Sequence, residues 1–254
     1  MEEKIEVFKK YTDSYIPLSH MCILKVNHTM RVMELCGLIA ESLKLSKEDI
    51  ELAKTCGLVH DIARFEQWKR YQTFADSKSI DHGDFGVEIL KENDFIRKFN
   101  KDEKLDNLIL KTVKNHNKYK IEEDLSEREK LFCNIVRDAD KIDILYLYTI
   151  EEISLNISNE DFSDEVYEGL LSQNLILISK SLKKTKADIL AISLGFVFDL
   201  NFPISYQILR NRKYYDKEIE IYINKSNNEE FKKKLENLKN VINKYIDGRC
   251  NNVR

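Results

Sequence analysis

Apolar residues recur along this chain at spacings of three and four, the signature of one face of a helix turned to a core. Val32, Leu35, Ile39 and Leu43 mark such a stripe and predict a helix near 20–43. Ser46 followed by Asp49 resembles a capping box and opens a second helix that runs to about His60. The segment Gln67 to Asp81 is polar and aromatic and reads as a loop. A helix is expected to start near Asp81 and carry Phe85, Ile89 and Leu90, and another to cover Leu105 to His116. Ser126 with Glu129 is a second capping box, opening a helix that contains Asp140. Beyond Ile150 the pattern predicts helices at roughly 164–182, 186–199, 203–212 and 229–246, with a polar turn from Asn224 to Glu230 carrying Ser226 and Glu229 at capping spacing.

No strand pattern interrupts this series. Two prolines and seven glycines in 254 residues are few turn-formers, which favours long helices. The predicted fold class is all-α: a multi-helix bundle over residues 20–146, with residues 147–254 as a C-terminal helical extension packed on it and a soft boundary near Ser158 to Glu160. No internal repeat and no long linker is present.

Charge changes this picture little. A formal net charge of −3, with charged residues at 33%, provides no basic stripe and argues against dedicated nucleic-acid binding. No apolar run approaches the ~20 residues needed to cross a bilayer, and the polar start Met1-Glu2-Glu3-Lys4 carries no secretory signal. Cys22, Cys36, Cys56, Cys133 and Cys250 form no C-x-x-C pair, and most fall in helix-like apolar stretches. They read as small buried hydrophobes in a reducing compartment, so a cytoplasmic protein is expected.

The chemistry lies in a string of donors: His28, the adjacent pair His60-Asp61, His82, His116 and Asp140, which holds four of the five histidines. His28 stands four residues before Val32 and eleven before Ile39, on the apolar stripe. His116 follows Leu108, Ile109, Thr112 and Val113; His82 precedes Phe85 and Ile89; Asp140 follows Phe132 and Val136. Each polar group punctuates a buried face. A buried carboxylate without a partner is costly. A salt bridge to Lys or Arg would satisfy one acid, but two inward acids and four inward imidazoles are met more simply by a metal ion with nitrogen and oxygen ligands. Alone, each residue is an ordinary core histidine or helix cap; the ordered set on successive helices carries the inference.

His28 in His-Thr-Met-Arg-Val, then Gly57-Leu-Val-His-Asp-Ile62, then Asp138-Ala-Asp-Lys-Ile-Asp143 resemble the H…HD…D signature of the HD-domain superfamily of metal-dependent phosphohydrolases, over about residues 20 to 146. His82 and His116 resemble the additional ligands of members that bind two metals. The string from Val59 to Gln67, with Ser79-Ile-Asp-His-Gly83, looks like a bacterial group of HD hydrolases. The resemblance implies one or two divalent ions (Mn, Fe, Co, Ni, Mg or Zn), the first held by His28, His60, Asp61 and Asp140, the second by the bridging Asp61 with His82 and His116. It implies hydrolysis of a phosphate ester or anhydride of a nucleotide or other small phosphorylated metabolite by a metal-activated water, with Asp61, Arg64 and Lys141 in catalytic roles. Arg31, Arg64 and Lys141 are candidate cations for phosphate oxygens, and Asp143 is a candidate to orient a ligand. Two other readings fit the same residues: a di-iron oxygenase on the same ligand set, and a non-catalytic nucleotide sensor. Trp68, Tyr71 and Phe74 are a candidate base-stacking platform or ordinary core, as is the aromatic segment from Phe196 to Tyr206.

Overall fold

The structure is a computed structural model that describes residues 1–150, 155, 157–180 and 185–251. Among them every regular element is helical. The chain divides into two compact units, Met1–Asp140 and Lys141–Arg254.

The first unit contains α1 (Glu2–Asp13), α2 (His20–Ser42), α3 (Lys47–Val59), α4 (Arg64–Tyr71), α5 (His82–Lys91), α6 (Asp106–Asn115) and most of α7 (Glu127–Leu147), within which the division falls. Local chemistry sets the starts of these helices. The Ser19 and Ser46 hydroxyls accept the third amide of α2 and α3, from Cys22 and Asp49. The Asp81 carboxylate accepts the Gly83 and Asp84 amides that open α5. At α7 the Glu129 carboxylate accepts the Ser126 amide at 2.7 Å while the Ser126 hydroxyl accepts the Glu129 amide, a complete capping box. The core is formed by Val32, Cys36, Ile39, Leu58, Ile62, Phe65, Ile109, Val113, Phe132 and Val136, all essentially without solvent contact.

Two glycines set how closely the site-bearing helices approach. A Cβ on Gly57 of α3 would stand 2.8 Å from Cys36 Sγ and 3.0 Å from Met33 Cα, so only glycine lets α3 lie this close to α2. A Cβ on Gly83 of α5 would meet the Lys114 carbonyl at 2.8 Å, which is how α5 closes on the end of α6.

The second unit contains α8 (Asp164–Leu171), α9 (Leu175–Lys180), α10 (Lys186–Gly195), α11 (Pro203–Arg212), α12 (Tyr214–Lys225) and α13 (Glu229–Asn251). Its core holds Leu190, Leu194, Val197, Leu209, Tyr215, Ile219, Tyr222, Phe231 and Ile242. The aromatic segment 196–206 belongs to this core, with Phe198 and Tyr206 buried.

Several local expectations change. The helix after His60-Asp61 extends to Tyr71, so the loop is 72–81 rather than 67–81. Gln67 is polar yet entirely buried, so its polarity does not mark exposure. Helices α1 and α12 were not predicted. The start of α13 is capped by Asn228, whose side-chain oxygen accepts the Glu230 and Phe231 amides, and not by Ser226. The end of the helix expected at 164–182 lies outside the described residues, and the part within them is broken into α8 and α9. All five cysteines are free and buried. Among the described residues, no helix is long and apolar enough to cross a membrane.

Candidate metal centre

The first unit brings all six donors together. His28 comes from the middle of α2, His60 and Asp61 from the end of α3, His82 from the first residue of α5, His116 from the end of α6 and Asp140 from α7. His28 and His60 are fully buried, and Asp61, His82 and His116 nearly so.

The atoms sort into two groups that share one carboxylate. In the first, His28 Nε2 lies 3.1 Å from Asp140 Oδ1, 3.4 Å from His60 Nε2 and 3.5 Å from Asp61 Oδ2; His60 Nε2 lies 3.5 Å from Asp61 Oδ2 and 3.7 Å from Asp140 Oδ1. In the second, His82 Nε2 and His116 Nε2 are 3.0 Å apart, at 3.5 and 3.6 Å from Asp61 Oδ1. Asp61 therefore turns one oxygen to each group. Donor atoms within 4.8 Å of one another also link His60 and Asp61 directly with His116, so the two groups are contiguous.

Tautomers sharpen the reading. His60 Nδ1 lies 2.7 Å from the Gly57 carbonyl and His116 Nδ1 2.6 Å from the Val113 carbonyl; His82 Nδ1 lies 2.6 Å from Asp76 Oδ2. These partners only accept, so each Nδ1 is the donor, and in a neutral ring Nε2 then carries a bare lone pair. Burial lowers the His60 pKa, and burial together with the Arg64 guanidinium lowers that of His82 to about 4. Burial alone would raise the carboxylates. For Asp61 it is outweighed by the Lys25 and Arg64 cations, and for Asp140 by the facing His28 ring; both lie well below the ordinary value. His60 and His82 thus present neutral imidazoles beside the ionised Asp61 and Asp140, the donor state that divalent ions require.

The spacing fits as well. Ligands on one ion at ~2.1 Å in tetrahedral or octahedral geometry sit roughly 3.0–3.4 Å from one another. The donor separations here fall at or slightly above that range. Part of the acid charge is nevertheless met by side chains: Lys25 Nζ lies 2.7 Å from Asp61 Oδ2, and Arg64 Nε 3.2 Å from Asp61 Oδ1. The case for a cation therefore rests chiefly on the facing imidazoles.

The expected catalytic cations sit as follows. Arg64 reaches Asp61, the Gln67 side chain at 2.8 Å, the Phe74 carbonyl at 2.8 Å and Asp76 at 3.1 Å, so its guanidinium is engaged within the protein. Lys141 is bound to Asp199, 2.7 Å from its carboxylate and 3.0 Å from its carbonyl, inside the second unit. Asp143 is buried. Arg31 is half-buried on α2.

Sequence reasoning overlooked several residues. Lys25 precedes His28 by three, one turn earlier on the same face, and that spacing was the available signal. Arg137 donates to the carbonyls of Asn115, His116, Lys118 and Tyr119, holding the chain just past α6; nothing in its neighbourhood announces this. The aromatic trio does not form one platform. The Trp68 and Phe74 rings meet at 4.9 Å, whereas Tyr71 is exposed. Phe74 lies beside the cations, its centroid 5.9 Å from Lys25 Nζ and 5.5 Å from the Arg64 guanidinium.

The family model for the HD domain matches residues 26–145, a stretch that contains all six donors. This part of the chain matches the HD domain, the domain of the metal-dependent phosphohydrolase superfamily that its motifs resemble. No curated protein and no solved structure matches the chain.

Proposed function

We propose that this protein is a phosphohydrolase that cleaves a phosphate ester or anhydride of a nucleotide or another small phosphorylated metabolite. One observation carries the reading: two sets of donors, His28/His60/Asp140 and His82/His116, flank the two oxygens of Asp61 with imidazole Nε2 atoms turned inward. His28, His60, Asp61 and Asp140 would hold one divalent ion, and Asp61, His82 and His116 a second. Bound there, such ions supply a water acidic enough to ionise near neutral pH and positive charge for phosphoryl oxygens.

The chain's own residues do the rest. The Gly57 and Val113 carbonyls and Asp76 fix the tautomers of His60, His116 and His82, so each presents Nε2 without rearrangement. Lys25, partly exposed beside Phe74, offers a mobile point charge for a substrate phosphate. Arg64 keeps Asp61 oriented. No covalent enzyme intermediate is needed.

The test is metal analysis of the purified protein, followed by a phosphate-release screen over nucleotides, dinucleotides and sugar phosphates with Mn, Fe, Co, Ni and Mg. Metal-dependent release of phosphate, lost in His60→Ala and Asp61→Ala, supports the reading. Full metal content in both variants sinks the ligand assignment; iron with dioxygen uptake and no phosphate release sinks the hydrolase.

A further inference from the structure

His82 differs from the other imidazoles in how its ring is held. His60 and His116 each end a helix, and each turns Nδ1 to the carbonyl three residues earlier, Gly57 and Val113. His82 begins a helix. The residue three before it, Ser79, lies in the 72–81 segment, so no carbonyl of its own helix is in place to take its proton. Asp76 fills that role from the same segment, with Oδ2 at 2.6 Å.

Asp76 is itself built in. Its Oδ1 accepts from Arg64 at 3.1 Å and Gln67 at 3.0 Å, and its Oδ2 accepts from Asn117 at 3.2 Å as well as facing His82. Neither oxygen serves as a cap for the short turn at 76–78, where a surface aspartate would ordinarily be used. Gln67, fully buried, also binds the Ser79 hydroxyl and the Ile80 carbonyl, tying the segment to α4. Arg64 braces the His82/His116 side of the centre from two directions, since it touches both Asp61 Oδ1 and Asp76.

We propose that Asp76 is a positioning residue for the second ion: by holding His82 it sets the affinity of the His82/His116/Asp61 group, while the His28/His60/Asp140 group does not depend on it. This rests on the two-ion reading above. A carboxylate partner fixes the tautomer and raises the basicity of a ligating imidazole, and losing such a partner generally weakens metal binding 10–100-fold.

The experiment strips the full-length protein with a chelator, reloads it with Mn²⁺ or Co²⁺, and measures equivalents and affinities by calorimetry and elemental analysis, with far-UV circular dichroism as the check on folding. In Asp76→Ala we expect one equivalent bound as in wild type and the second weakened at least tenfold. Asp76→Asn retains an acceptor without the charge and should fall between the two; it also serves if the alanine variant does not fold. Two equivalents with wild-type affinities in a folded variant overturn the role of Asp76 and leave the hydrolase reading intact. A uniform loss of both equivalents overturns it too, because a merely structural role would do that. A wild-type protein that takes up no metal overturns both.

Discussion

His82 Nε2 and His116 Nε2 face each other at 3.0 Å, and with both rings neutral neither has a proton to give the other. Each has already committed Nδ1–H outward, to Asp76 and to the Val113 carbonyl. Two lone pairs at that distance repel unless a cation lies between them, so ion binding should relieve an unfavourable contact as well as form new bonds. We expect saturating Mn²⁺ or Co²⁺ to raise the melting temperature, by about 2.7 kcal/mol of added stability at a hundredfold excess over Kd. His60→Ala should abolish most of that shift. Identical melting with and without metal would contradict the site.

Lys25 and the incoming ion compete for one oxygen of Asp61. Lys25→Met should therefore bind metal more tightly than wild type, read by calorimetry. It should also lose roughly tenfold in kcat/KM toward a phosphorylated substrate, the effect of one charge-assisted hydrogen bond of about 1.5 kcal/mol. Weaker metal binding in this variant would place Lys25 in a supporting role instead.

Gly57 stands where α3 meets the backbone of α2, one turn before His60. Gly57→Ala forces the helices apart at that contact. We expect a loss of about 1–3 kcal/mol in chemical denaturation. Metal affinity should fall with it, because His28 and His60 sit on the two helices being separated. An alanine variant as stable as wild type would show that Cys36 yields without cost.

The second unit contains an acid away from the centre. Glu218 is fully buried, its Oε1 is 2.5 Å from Ser193 Oγ, and among the described residues its Oε2 has no partner. Burial pushes its pKa up to about 8, the Ser193 hydroxyl offsetting part of the effect. The folded state thus holds a proton that the unfolded chain releases near pH 4.5. Its contribution is fully present below that value and is lost as pH rises through about 8, on the order of 5 kcal/mol. Glu218→Gln should remove this slope, and denaturation midpoints measured from pH 5 to 9 would show it. A slope unchanged in the variant would assign the pH dependence elsewhere.

The helical class and many element starts could be read from the chain because they rest on local rules. Pro203 and the Ser126–Glu129 pair act within one turn, and α11 spans the predicted 203–212. Elements that bury polar groups escaped notice. Gln67 hides its amide to tie down a loop, so the helix containing it read as loop. Helix α12 packs Asp216 and Glu218 inward beside Tyr215 and Tyr222, which erases its apolar stripe. At the centre, the six donors were visible as residue types on inward faces. Their supports, Asp76 and Arg137, were not, because they act across 6 and about 20 residues through contacts that no periodicity encodes.

With two basic side chains already resting on Asp61, the carboxylate shared by both groups is not left a naked anion before any ion arrives. Folding of the first unit would then not have to wait for metal, and an ion would enter a pocket already shaped.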